Sequence, residues 1–184
     1  MKNLISIPFL IIVTFASWTH SANAIKNGGR DLNNYDTDMK TIKTFNKKFI
    51  GSWELKEWTA ELNDGSIVHP FGKDAIGRIT YDGHSNMAVQ IMKNNRPNFL
   101  SEDPLQGQPD EVVTAYGGFI AYCGTFEVLS DANQVVHKIA ISSFPNWVGQ
   151  DQFRNYEFKD DNLILSTNVI GSSRHRLVWE KMNK

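Results

Sequence analysis

From Phe49 to the C-terminus the chain changes polarity at every second residue, in short runs separated by Gly, Asp, Asn and Pro. Such alternation puts the apolar side chains on one face of a pleated strand, so each run buries a single side and needs neighbours to complete it. Read this way, FIGSWELKEWTAEL, IVHPFG, GRITYDG, NMAVQIM, GTFEVLS, QVVHKIAISSF, QFRNYEF, NLILSTNV and RHRLVWEKM are strands, and Asp64-Gly65 marks a hairpin between the first two. Antiparallel strands joined by short turns, with no internal repeat, predict an all-β, up-and-down antiparallel barrel of about 8–10 strands, because closure removes exposed edges. A barrel of this size holds packed side chains or one small ligand.

One helix is expected between strands. The segment NNRPNFLSEDPLQGQPD carries three prolines and leads to Pro109, which suits a first helical turn, with Asp110 and Glu111 at the positive N-terminal end. Val112, Tyr116, Phe119, Ile120 and Cys123 then form one stripe, which predicts a helix from Pro109 to Tyr122 docked by a single face.

The N-terminus departs from this pattern. Lys2 precedes the apolar run LISIPFLIIVTFA, and SWTHSANA ends in the small-x-small pattern Ala22-Asn23-Ala24. Residues 1–24 read as a secretory signal peptide cleaved after Ala24, the run being short for a membrane span. The expectation is a periplasmic or secreted protein with no stable membrane insertion after cleavage. Residues 25–45 are polar and aperiodic and read as a flexible leader, leaving 46–184 as the barrel domain. Cys123 is the single cysteine, so no internal disulfide can form and the core must hold the domain. A net charge of -1 gives no basic excess of the kind that marks a nucleic-acid partner.

Parity identifies the residues that enter the barrel. In QVVHKIAIS the face Val135, His137, Ile139, Ile141 is apolar apart from one imidazole, and in QFRNYEF the aromatic face carries Gln152, Arg154, Tyr156 and Phe158. A turn near Pro145 to Trp147 pairs odd positions of the first strand with even positions of the second, so both sets face inward, with His137 opposite Arg154 or Tyr156. Trp53, Leu55 and Glu57 share a face of the first strand, and Ile79 and Tyr81 are inward by the same rule. The candidate ligand-binding set is therefore His137, Gln152, Arg154, Tyr156, Tyr81, Glu57, Asn146 and Trp147. Plainer roles exist for each: His137 as a hydrogen-bonded core histidine, Arg154 closed in an internal ion pair with Glu57. The turn residues Phe144 to Trp147 form an aromatic lip, which either borders the opening or caps the barrel by packing on the helix.

Several chemistries are not spelled by this sequence. The five histidines show no H-x-H or H-x-x-x-H spacing, so no metal site is expected. There is no phosphate-cradling glycine loop and no G-x-S-x-G elbow, and no cofactor is expected.

On these residues the chain resembles the bacterial lipocalin-like domain family, of calycin type. The resemblance rests on Gly51-Ser52-Trp53, the block from His69 to Met92, AYCGTFEV from Ala121 to Val128, SSFPNWVGQDQFR from Ser142 to Arg154, and RLVWEK from Arg176 to Lys181. It implies a barrel closed near Trp53 with a pocket at the other end. Family members serve as carriers and, in some pathways, as isomerases or cyclases.

The functional expectation is an exported barrel that binds a small hydrophobic or amphiphilic ligand with a polar or acidic end. Two alternatives stand beside it. One is an isomerase, cyclase or dehydratase using the same cup, with His137 and Tyr156 as candidate catalytic residues; the lack of a nucleophile paired with a base weighs against it. The other is a filled structural barrel.

Overall fold

Turn chemistry divides the described part of the polypeptide into nine strands. The structure, a computed structural model, describes residues 47–182; the expected signal peptide 1–24 and leader 25–45 lie outside the described residues. The strands are β1 (Gly51–Leu62), β2 (Ile67–Val68), β3 (Ile76–Tyr81), β4 (Asn86–Met92), β5 (Phe119–Leu129), β6 (Gln134–Ser142), β7 (Asp151–Lys159), β8 (Asn162–Ile170) and β9 (Ser173–Lys181). Gly65 takes the positive φ of 81° that its turn requires, and the Asp64 carboxylate accepts the Ser66 N–H at 2.9 Å. Asp160 and Asp161 both have positive φ, 49° and 64°, the left-handed pair that matches the twist of the β7–β8 hairpin.

All pairings are antiparallel, in the order β1-β3-β4-β5-β6-β7-β8-β9, and β1 also pairs with β9 from Trp53↔Lys181 to Leu62↔Ser173. That last ladder closes an eight-stranded barrel. The two-residue β2 is an appendage on the far half of β1. The up-and-down all-β barrel expected from the alternation is what forms.

The closed end is a plug of rings. Phe49 is fully buried and meets Tyr81, Tyr156 and Phe158 edge-on at 5.3, 5.0 and 5.1 Å between centroids. Its carbonyl accepts the Trp53 indole N–H at 2.8 Å, so the first inward residue of β1 is tied to the plug beneath it. Trp53, Ile79, Leu163 and Trp179 complete this part of the core.

Three bulges re-aim side chains, and two of them overturn parity expectations. The β1–β9 register slips at Lys56, between Leu55 and Glu57. Leu55 stays inward, but Glu57 turns to the outer face and Trp58 turns in. On β6 the extra residue is Ala140, since Gly124 pairs with Ile139 and Cys123 with Ile141; Ile141 therefore lies outside, 67% exposed. Only glycine fits at position 124, where a Cβ would collide with the Lys138 carbonyl. The third slip, between Ser166 and Val169, follows the regular inward series Leu163, Leu165, Thr167, and the residues beyond it, Asn168 to Ile170, are exposed.

The helix α1 (Pro109–Gly117) is shorter than expected and does not dock by an apolar face. None of its residues is buried, and Val113 is 70% exposed. Gly117-Gly118 ends it because glycine pays the largest backbone entropy in a helix. Phe119 to Cys123, assigned to the helical stripe from sequence, are the start of β5. The N-terminus of α1 is held by Glu111, whose carboxylate accepts the Gln108 and Leu100 N–H groups at 2.8 and 2.9 Å.

Candidate functional site

The inward faces of β3, β5, β6 and β7 bring four polar side chains into an apolar interior. His137 is fully buried. Its Nε2 lies 2.8 Å from the Tyr81 hydroxyl and its Nδ1 3.3 Å from the Tyr122 hydroxyl. A neutral imidazole carries one donor and one acceptor, so one tyrosine hydroxyl donates a hydrogen bond to the ring and the other accepts one from it. Burial pushes the His137 pKa well below the usual imidazole range, and the Arg154 charge pushes it the same way. Burial likewise raises both tyrosines, Tyr81 furthest, while Arg154 opposes the rise. At neutral pH all three are uncharged.

Arg154 is the exception. It is 7% exposed, donates from one guanidinium nitrogen to the Phe153 carbonyl at 2.9 Å, and has no carboxylate within ion-pair distance among the described residues. The expected internal pair with Glu57 does not exist. Beyond the Lys56 bulge, Glu57 faces solvent and pairs with Arg176 at 3.0 Å on the outer wall.

The register between β6 and β7 also differs from expectation. His137 pairs with Gln152, and Arg154 with Val135; Tyr156 lies deeper, its N–H bonded to the Asn133 carbonyl in the turn that precedes β6. The inward set on β7 is as read, but shifted by two residues against β6. Tyr156 joins the plug around Phe49, and its hydroxyl has no hydrogen-bond partner. Trp147 and Asn146 sit on the 3-10 turn Pro145–Trp147 between β6 and β7, and Asn146 faces solvent.

A column of rings runs from plug to lip. Phe49 meets Tyr81, Tyr81 meets His137 at 5.7 Å, His137 meets Tyr122 at 5.9 Å, Tyr122 meets Trp147 at 5.4 Å, and Trp147 meets Phe144 at 5.7 Å. The aromatic lip thus packs over Tyr122 of the barrel wall. Along the column burial relaxes: Tyr81 and His137 are sealed, while Trp58, Ile120, Trp147, Gln152, His175 and Leu177, all at the other end, are half-buried. This ring of half-buried side chains, with Tyr122 and Arg154 buried beneath it, is termed the mouth cup.

Three residues of this cup were not read from the sequence. Tyr122 was hidden by the helix assignment, although Ile120, Tyr122 and Phe126 show the period-two signal. Trp58 was hidden by the bulge; its indole N–H donates to His175 Nδ1 at 3.1 Å, and its ring meets Phe71 at 4.8 Å. His175 shares parity with Leu177 and Trp179, and its Nε2 lies 3.2 Å from the Ser173 hydroxyl. A groove of about 940 Å³ between Lys48, Phe158, Asp160 and Lys181 is on the outside of the closed end and does not touch this cluster.

Residues 50–182 match the lipocalin-like domain. The chain belongs to the lipocalin-like domain family. A 4'-hydroxy-3'-methoxypropiophenone carrier protein of Aspergillus oryzae is 34% identical over 107 residues, which span 52% of this lipocalin-like chain and 96% of that relative. Among solved structures, a redesigned β-barrel aligns with a TM-score of 0.39 at 10% identity, covering 75% of this chain and 95% of the other. A variant of the fluorescent protein UnaG aligns with a TM-score of 0.37 at 12% identity, covering 75% and 99%.

Proposed function

We propose that this lipocalin-like domain binds a small, mostly apolar molecule whose polar end reaches the floor of the mouth cup. The observation that carries this reading is Arg154: a buried guanidinium with no carboxylate in ion-pair distance among the described residues. A buried charge is tolerated when it is paired or hydrogen-bonded, and the Phe153 carbonyl together with the neighbouring Tyr122 hydroxyl still leaves N–H donors of its five for another acceptor. Aromatic walls supply apolar burial at roughly 25 cal/mol per Å², and Gln152 stands at the rim as an adaptable polar contact. The A. oryzae relative, named as a carrier of an aryl ketone bearing a phenol, supports a ligand of aromatic character with an oxygen at its end.

Proton-transfer chemistry is less well served. Both His137 nitrogens are occupied by tyrosines, the ring is sealed from solvent, and Tyr156 lies in the plug. His137 therefore positions Tyr122 rather than meeting a substrate.

Export is also proposed, on Lys2, the apolar run behind it and the Ala22-Asn23-Ala24 pattern. N-terminal sequencing of protein from a periplasmic fraction should begin at Ile25; protein retaining Met1 would contradict this.

Binding is tested by calorimetry and intrinsic fluorescence with a panel of aryl ketones, phenols and aromatic acids, Trp58 and Trp147 being the reporters at the mouth. Saturable binding of one molecule per chain supports the proposal. Failure of the whole panel, together with no small molecule released from protein purified from its own source, would overturn it.

A further inference from the structure

We infer that the cup selects its ligand by charge state, taking a planar aromatic weak acid as its monoanion. This deepens the binding reading above and rests on it. Arg154 is surrounded by uncharged groups. The Arg154 charge acts on Tyr81 of β3, Tyr122 of β5, His137 of β6 and His175 of β9; Thr167 is the buried polar residue of β8, and Gln152 and Tyr156 share its face of β7. None is negative.

The carboxylates of β7 and of the strands around it face the outer wall, Asp151 among them, beside Lys138. Glu57 pairs with Arg176 there, Glu127 pairs with Lys138 at 2.8 Å, and Glu157 is exposed. His175 is fixed as a neutral ring. The Trp58 indole can only donate, so His175 Nδ1 is the acceptor and Nε2 carries the hydrogen toward Ser173. His137 is uncharged between two hydroxyls. The described interior therefore holds one positive charge and no negative one, in surroundings where an opposite charge is screened little.

A single anionic oxygen on the ligand completes that balance. A cation would be repelled, and a dianion would bring in a second buried charge with nothing to meet it. For a phenol the consequence is thermodynamic: a cation within about 4–6 Å favours the ionised form, so the bound phenol titrates about one to three pH units below its value in free solution. Tyr122 cannot take the anion's place, because burial holds its own hydroxyl protonated.

The test uses 4'-hydroxyacetophenone, whose phenolate absorbs at longer wavelength than its neutral form. The probe is titrated with the full chain one pH unit below its free pKa. The expected result is a red-shifted phenolate band that grows with protein to one equivalent. Arg154→Met should bind at least about tenfold more weakly, whatever remains bound showing the neutral spectrum, whereas Arg154→Lys should retain the phenolate band. Wild-type protein that binds the probe with the neutral spectrum would overturn the charge-state inference and leave the binding reading intact. If the probe, 4-hydroxybenzoate and 4-methoxyacetophenone all fail to bind, this inference is overturned, while the binding reading stands or falls on the wider panel and on the molecule released from the purified protein. Equal affinity for the neutral methoxy compound and the phenol would also contradict it.

Discussion

Tyr81 and His137 are 56 residues apart in the chain, on strands that are not neighbours, and their side chains hydrogen-bond at 2.8 Å across the interior of the barrel. Both are fully buried, so the bond cannot be replaced by water. Tyr81→Phe strands His137 Nε2 and should cost about 1–3 kcal/mol, the cost of an unsatisfied buried polar group. Chemical denaturation checks this. A loss under about 0.5 kcal/mol would mean that the ring finds another partner.

Stability should depend on pH through the same histidine. The folded pKa of His137 lies below the unfolded value of about 6.5, because burial and Arg154 disfavour the imidazolium. Above the unfolded pKa both states are neutral there and the full stability is present. As pH falls through the unfolded pKa toward the folded one, the unfolded chain takes up a proton that the native state refuses, and stability drops. Melts between pH 7.5 and 5 should show the decline, and His137→Gln, though less stable overall, should show a shallower one. His175 is lowered in the same direction and contributes a second, smaller part.

At the closed end, Trp53 combines 2% exposure with a hydrogen bond to Phe49. Trp53→Ala should cost about 3–5 kcal/mol, as for other large core truncations. An equilibrium unfolding change below about 1 kcal/mol would show that the plug is not part of the cooperative core.

The barrel itself was legible because alternation is a local signal repeated in every strand, and because Asp64-Gly65 states its turn in the sequence. Inward placement of Tyr81, His137, Gln152, Arg154 and Tyr156 followed from parity alone. What parity cannot see is a bulge. Lys56 and Ala140 are ordinary residues, yet each inserts one position and reverses every side chain beyond it, which moved Glu57 and Ile141 outside and Trp58 inside. Tyr122 was lost for a different reason: Val112 to Cys123 satisfies both a helical stripe and, from Phe119 on, an alternation, and only the Gly117-Gly118 pair separates them. The register of β6 on β7 depends on the length of the turn between them, so the pairing of His137 with Gln152 could not be chosen from the faces.

The outward turn of Glu57 has its own test. Glu57 and Arg176 are each 46% exposed and form a solvent-facing pair. Glu57→Gln should change stability by less than about 1 kcal/mol, whereas removing one partner of a buried pair costs roughly 3–5 kcal/mol. A double-mutant cycle of Glu57→Gln with Arg154→Met should give no coupling, since the two side chains lie on opposite faces of the wall.

The most direct measurement is a calorimetric titration of wild-type and Arg154→Met protein with a ligand that saturates the wild type. Binding to Arg154 predicts that affinity falls at least about tenfold, the order expected from losing charge-assisted hydrogen bonds, while the thermal midpoint of the ligand-free variant stays level or rises, because an unpaired buried charge has been removed. Unchanged affinity in the variant would contradict the account.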